Sequence, residues 1–196
     1  MKDNTDQEII RRVLSGEQKA YAELVDRHKE KAMTLAMRML KNRQDAEEAL
    51  QDAFIRAFRA LQSFEWKSSF STWFYRIVFN VCSTKLNVRD RALIFSIDEE
   101  LDGELKFEIP SDADEPDIEF ESKEFTSIVK QEIEKIGAGY SSILTMFFMQ
   151  EMSYEEIVSV TGLPIGTVKN RLFRARNELR TAVLKRFSDL HQMEKV

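Results

Sequence analysis

The stretch FEWKSSFSTWFYRIVFN, residues 64–80, holds seven aromatic side chains, and its second half has room for only one secondary structure. Phe70, Trp73, Phe74, Ile77, Val78 and Val81 recur at the i, i+3, i+4, i+7, i+8 and i+11 positions of one buried helix face. Thr72, Arg76 and Asn80 form a polar stripe at four-residue spacing on another side. Phe64 and Trp66 precede the helix and stand outside its stripe. Two readings fit them. One is a shielded core corner in front of a capped helix. The other places rings beside Lys67, Arg76 and the hydroxyls of Ser68, Ser69, Ser71 and Thr72, a set suited to stacking on unpaired bases while holding phosphates.

Charge distribution narrows the class further. The net charge of −5 conceals three blocks. Residues 96–124 hold 13 acids against 2 bases, whereas residues 1–95 hold 17 bases against 13 acids and residues 125–196 hold 10 against 8. Two mildly basic blocks therefore flank an acidic connector, and segment charge is compatible with nucleic acid where overall charge is not. No apolar run reaches membrane-spanning length, and MKDNTDQE is too polar for a signal peptide, so a cytoplasmic location without membrane insertion is expected. A single cysteine, Cys82, excludes an internal disulfide and fits a reducing compartment. Two distant histidines, His28 and His191, offer no metal-ligand spacing.

The helical period runs through both basic blocks. Asp6 is placed to cap a short helix carrying Ile9, Ile10, Val13 and Leu14, which Ser15-Gly16 ends. A second helix spans about Glu17–Leu40, and Lys41-Asn42-Arg43 reads as a turn. The helix from about Asp45 to Gln62 sets Ala46, Ala49, Leu50, Ala53, Phe54, Ala57 and Leu61 on one face and keeps its other faces charged, with acids early and arginines late as the helix dipole favours. From about residue 91 to 124 the period is lost, and Pro110 and Pro116 join the acids. This is a linker, read equally as a plain tether or as a strand laid along a partner.

The C-terminal block regains the period over Phe125–Ile136 and Tyr140–Met149. Ser153-Tyr-Glu-Glu156 is a capping box that opens a short helix. Thr161-Gly162-Leu163 turns the chain, and Pro164 suits the first position of a helix running to about Phe187. A capped short helix, a glycine turn and a basic second helix have the spacing of a helix-turn-helix. Thr167, Lys169, Asn170, Phe173 and Arg174 lie off the buried stripe near the start of that second helix, the half that meets base edges in a major groove.

Two motifs carry a family resemblance. DAEEALQDAFIRAFRAL at 45–61 followed by FSTWFYRIVFN at 70–80 resembles region 2 of the sigma factors of bacterial RNA polymerase. SYEEIVSVTGLPIGTVKNRLFRARNEL at 153–179 resembles their region 4, and the order and acidic linker look like the extracytoplasmic-function group. The resemblance implies an all-α chain of two helical domains, residues 1–91 and 125–196, joined by the linker 92–124. It implies core RNA polymerase, through its β′ coiled coil and its β subunit, and promoter DNA as partners, often with an anti-sigma protein. It implies no catalysis and no cofactor. Asp45, Glu48, Gln51 and Asp52 match the polymerase contact positions. Phe64, Trp66, Lys67, Ser68, Ser69, Arg76 and Asn80 match the segment that melts and reads the minus-ten element. Thr167, Lys169, Asn170, Phe173 and Arg174 match the readers of the minus-thirty-five element. One departure stands out: many members carry Arg-Gly after the loop phenylalanine, and here Phe64 is followed by Glu65-Trp66-Lys67. A stand-alone helix-turn-helix regulator is the rival reading, but it leaves the aromatic loop and the linker without a role. An α-helical enzyme finds no Gly-rich phosphate loop and no His-Glu-x-x-His to rest on.

Overall fold

The computed structural model describes residues 3–86 and 123–193, and among these all regular structure is helical. The linker read at 92–124 lies outside the described residues except for its last two. The N-terminal block contains α1 (Asp3–Leu14), α2 (Tyr21–Leu40), α3 (Arg43–Ala60) and α4 (Phe70–Lys85). The C-terminal block contains α5 (Lys123–Lys135), α6 (Ala138–Leu144), α7 (Tyr154–Thr161) and α8 (Ile165–Met193). Short 3-10 turns at Gln18–Ala20 and Leu61–Ser63 lead into α2 and out of α3, and a π turn at Thr145–Met149 extends α6.

Side chains at the ends explain where α3, α4 and α7 begin. Asn42 caps α3, its Oδ1 accepting the Asp45 N–H at 3.1 Å, so the expected turn residue starts the helix. Ser69 caps α4 by accepting the Thr72 N–H at 3.1 Å. The capping box of α7 is complete: Ser153 Oγ accepts the Glu156 N–H, and Glu156 Oε2 accepts the Ser153 N–H at 2.9 Å. Gly162 then ends α7 at φ +74, a left-handed position that costs glycine nothing. Pro164 stands one residue before α8 and gives its carbonyl to the Val168 N–H at 3.0 Å.

The N-terminal core gathers on the aromatic stretch. Phe74 is fully buried, stacked on Phe54 of α3 with centroids 4.5 Å apart and flanked by Phe70 at 5.9 Å. Tyr21 of α2 donates its hydroxyl to the Phe54 carbonyl at 2.8 Å, and Lys85 of α4 reaches Glu48 of α3 at 2.8 Å. Cys82 is wholly buried and its thiol is pushed up to about 12 by that burial, so it is an inert packing group.

Three expectations change here. Asp6 does not cap α1: the helix begins at Asp3, and Asp6 turns inward to His28 and Arg27 of α2. Leu14 is 45% exposed and leaves the core. Thr72 is buried, not part of an open polar stripe, because α7 of the C-terminal block lies along α4 and Glu156 accepts the Thr72 hydroxyl at 2.8 Å. The two blocks also meet at α2, where Ser141 Oγ donates to the Arg38 carbonyl, Arg38 pairs with Glu134 at 3.0 Å, and Lys41 donates to the Ile136 carbonyl at 2.9 Å.

Candidate nucleic-acid interface

The loop before α4 is built as a two-storey aromatic stack. Phe64 is buried; its ring lies 4.8 Å from Trp66, 5.1 Å from Trp73 and edge-on to Phe70 at 6.2 Å. Trp66 rests on this floor with 43% of its surface open. Its backbone sits at φ +60, a conformation that a bulky L residue adopts only under constraint. Trp66 thus stands where the resemblance expects a glycine, in a backbone conformation that glycine adopts freely. Of the two rings assigned to DNA by sequence, Trp66 is the one offered to solvent and Phe64 is its support.

Polar groups ring the stack. Ser69 Oγ shares hydrogen bonds with the hydroxyls of Ser71 and Thr72, each at 2.8 Å, and Ser68 Oγ donates to the Ser69 carbonyl at 3.3 Å. Lys67 is exposed and paired with the neighbouring Glu65. Arg76 and Asn80 are exposed one and two turns along α4 from Thr72. Beside the loop, Asp6, Gln7, Trp66, Ser68, Ser69 and Phe70 enclose a cleft of about 200 Å³. Burial alone would raise the Asp6 carboxyl, but the hydrogen bonds and charges of His28 and Arg27 outweigh it and hold Asp6 below its ordinary value. An ionised carboxylate only accepts, so His28 Nε2, 2.9 Å from Asp6 Oδ2, carries the proton between them.

The outer face of α3 forms a second surface. Asp45, Glu48 and Gln51 are exposed and Asp52 is half-exposed. Lys85 holds the Glu48 carboxyl below its ordinary value, and Asp52 pairs with Arg56 at 2.8 Å along the helix. Sequence reasoning missed the apolar part of this face. Ile55 is 50% exposed and Phe58 37%, and with Tyr21, Val25 and Arg59 they border a groove of about 600 Å³. The signal was available: Ile55 and Phe58 are large apolar residues lying off the stripe that ends in Ala57 and Leu61.

The third surface is the start of α8. Asn170 is exposed, Phe173 is 42% exposed, and Thr167, Lys169 and Arg174 are half-buried. Lys169 Nζ lies 5.6 Å from the Tyr154 ring centroid, which orders its stem without neutralising its charge. The basic count of this helix overstates what faces outward. Arg171 is buried, and the Arg176 guanidinium covers the Phe147 ring at 4.8 Å and the Phe148 ring at 5.2 Å. Among the described residues no group of three or more His, Cys, Asp or Glu could hold a metal ion, and no helix is long and apolar enough to cross a membrane.

Comparison with known proteins finds a match for each of the two blocks. The family model for sigma-70 region 2 matches residues 24–92, and that for sigma-70 region 4 matches residues 128–179. The chain is 34% identical over 175 residues to the ECF RNA polymerase sigma factor SigW of Bacillus subtilis (strain 168), covering 87% of this chain and 92% of that protein. It is 35% identical over 178 residues to the ECF RNA polymerase sigma-E factor of Escherichia coli (strain K12), covering 89% and 92%. Among solved structures, CnrH in complex with the cytosolic domain of CnrY is similar in fold, with a TM-score of 0.60 and 23% identity over 92% of this chain and 97% of that one. The sigma factor RpoE in complex with the anti-sigma factor NepR from Bartonella quintana has a TM-score of 0.58 and 22% identity over 85% and 98%.

Proposed function

Since this chain belongs to the extracytoplasmic-function sigma factors of bacterial RNA polymerase, we propose that its three surfaces divide the work of promoter recognition among polymerase docking, strand opening and upstream reading. It is an alternative sigma factor that binds the polymerase and directs it to promoters. In the proposed division, Asp45, Glu48, Gln51 and Asp52 on α3 meet the β′ coiled coil, and the neighbouring Ile55 and Phe58 add the apolar area that a stable contact needs. The Trp66 loop, with Lys67, Ser68, Ser69, Arg76 and Asn80, opens and holds the minus-ten strand, and Phe64 supports it. Thr167, Lys169, Asn170, Phe173 and Arg174 read the minus-thirty-five element from the start of α8. The factor does this in the cytoplasm, with no catalysis of its own, as residues 1–91 and 125–196 spaced by 92–124. An anti-sigma protein holds it in reserve, as NepR binds its Bartonella relative.

The observation that carries this reading is Trp66, a large ring kept open to solvent on a buried aromatic floor at a backbone angle that disfavours it. A base leaving the duplex stack costs a few kcal/mol, and stacking on a ring returns about 1–3 kcal/mol, so one well-placed ring tips the balance at a weak sequence. The test is run-off transcription with purified core polymerase. The chain is expected to give promoter-specific transcripts only with core, and specific duplex binding without core would favour the stand-alone regulator instead.

A further inference from the structure

We infer that Thr72 is a further contact to the opened strand, donating its hydroxyl to one backbone phosphate, and that in the free chain Glu156 of α7 fills this seat with its carboxylate. The seat passes from an acid of the chain to a phosphate of the promoter when the blocks part. This rests on the reading of the loop and α4 as the strand-opening element.

The hydrogen bonds at Thr72 are directed at an anion. Thr72 Oγ1 lies 2.8 Å from Glu156 Oε1, and a carboxylate only accepts, so the single hydroxyl proton of Thr72 goes to Glu156. Ser69 Oγ, 2.8 Å from Thr72 Oγ1, is then the donor in that bond, and Ser71 Oγ, 2.8 Å from Ser69 Oγ, donates in turn. The hydroxyls run one way, from Ser71 through Ser69 and Thr72 to Glu156, and such a chain polarises toward the charge at its end. Thr72 is also the third residue of α4, where the dipole favours negative charge. Exposed Lys67 and Arg76 supply the positive charge that a strand following α4 needs. Glu156 cannot leave the seat by itself. Its Oε2 accepts the Ser153 N–H in the capping box, which fixes the carboxylate and leaves Oε1 for Thr72. The seat therefore empties only when α7 moves as a body. Thr72 then needs another acceptor, and backbone phosphates take threonine and serine hydroxyls on DNA as a carboxylate does here.

The experiment replaces the phosphates of the minus-ten non-template strand, one at a time, by uncharged methylphosphonate. It measures binding of a fork-junction promoter by holoenzyme assembled with excess core, so that differences in core binding do not enter. Thr72→Val keeps the shape and removes the hydroxyl. It is expected to bind the natural strand about three- to tenfold more weakly than wild type. At one phosphate, where wild type loses a similar factor to methylphosphonate, the variant is expected to lose little more, with the penalties at other positions unchanged. Thr72→Ala is expected to behave alike and serves if Thr72→Val does not fold, and Thr72→Ser is expected to restore the wild-type profile. A second arm leaves the protein untouched. The free chain, given the non-template oligonucleotide, is expected to show no penalty at that phosphate, or no binding, because Glu156 holds the seat. The inference is overturned if no minus-ten phosphate matters to wild-type holoenzyme, if the Thr72 variants keep the full wild-type profile, or if the free chain pays the same penalty as holoenzyme. Permanganate footprints of Trp66→Ala separate the two levels. Normal opening there would remove the loop reading and this inference with it. Lost opening there beside an unchanged phosphate profile in Thr72→Val would remove this inference alone.

Discussion

Trp66 concentrates the conflict between stability and use in one residue. A left-handed backbone costs a non-glycine residue roughly 1–2 kcal/mol, and the open half of the indole is apolar surface left in water. Trp66→Gly relaxes the backbone, loses the contact with Phe64 and frees the unfolded chain, effects of similar size and opposite sign. Its thermal midpoint is therefore expected to stay near that of wild type, within about 1 kcal/mol in stability, while strand opening falls; melting curves and permanganate footprints on the same preparation check this. A large loss of stability would make the ring structural. Asp6 gives a second expectation. Its folded carboxyl lies below its unfolded value of about 3.9, so the stability it contributes is complete above that value and disappears as pH falls through the folded one. An acid-side decline in melting temperature below about pH 4 is expected, and it becomes shallower in Asp6→Asn.

At the scale of the element, α3 and α8 each separate a packing side from a working side. On α3, Gln51 and Asp52 lie away from Ala49, Ala53 and Ala57, which are fully buried. Gln51→Ala with Asp52→Arg is expected to leave helicity unchanged and to weaken core polymerase binding, by roughly 2 kcal/mol or more if the reversed charge is desolvated. Pull-down at wild-type strength would remove the docking assignment. On α8, Lys169→Ala and Arg174→Ala are each expected to lose about 1–3 kcal/mol where the side chain reads a base. Promoters with a mutated upstream element then stop being distinguished from intact ones, and mutants that still feel the upstream mutations fully would show that other residues read it. These elements were legible in the sequence because their signals are local: the 3.6 period, the Ser153–Glu156 box, the Gly162 turn. The misread residues were decided elsewhere. Asp6 looks like a cap until α2 brings His28 and Arg27 to it. Thr72 looks exposed until α7 covers it, and Arg171 looks like part of the basic face until the packing of α8 turns it inward. Ile55 and Phe58 could have been read, because apolar residues off a helix's stripe need a partner.

At the scale of the molecule, the two blocks are in contact where the proposed division of work would have them apart. Thr72 of α4 and Glu156 of α7 share a 2.8 Å hydrogen bond, so the start of α4 and the capped helix of the C-terminal block touch directly. The two promoter elements are about 25 base pairs apart, roughly 85 Å at 3.4 Å per pair. If the loop before α4 and the start of α8 serve the two elements as proposed, a body with these helices in contact does not span straight DNA between them, and the blocks are expected to separate when the polymerase engages a promoter. The polar contacts that would break include Thr72–Glu156, Arg38–Glu134, Lys41–Ile136, Ser141–Arg38 and Gln150–Lys31. Each is worth about 0.5–1.5 kcal/mol net because water replaces the partner. These polar contacts amount to several kcal/mol, the apolar packing of α4 against α7 adds to them, and polymerase must prefer the parted form by at least the total. Energy transfer between dyes on Glu30→Cys in α2 and Asn177→Cys in α8, both exposed positions, reports the spacing, and buried Cys82 does not compete for label. High transfer is expected in the free chain and a marked fall on adding core polymerase, with a further fixed low value on promoter DNA. Thr72→Val removes one latch without touching the α7 cap, so it is expected to leave transfer in the free chain high, because the other contacts still hold the blocks together, and to strengthen polymerase binding by a few-fold, the converted value of one such hydrogen bond. Transfer that stays high in a transcribing complex would mean that the blocks remain packed together and that the elements are brought to them by bending the DNA.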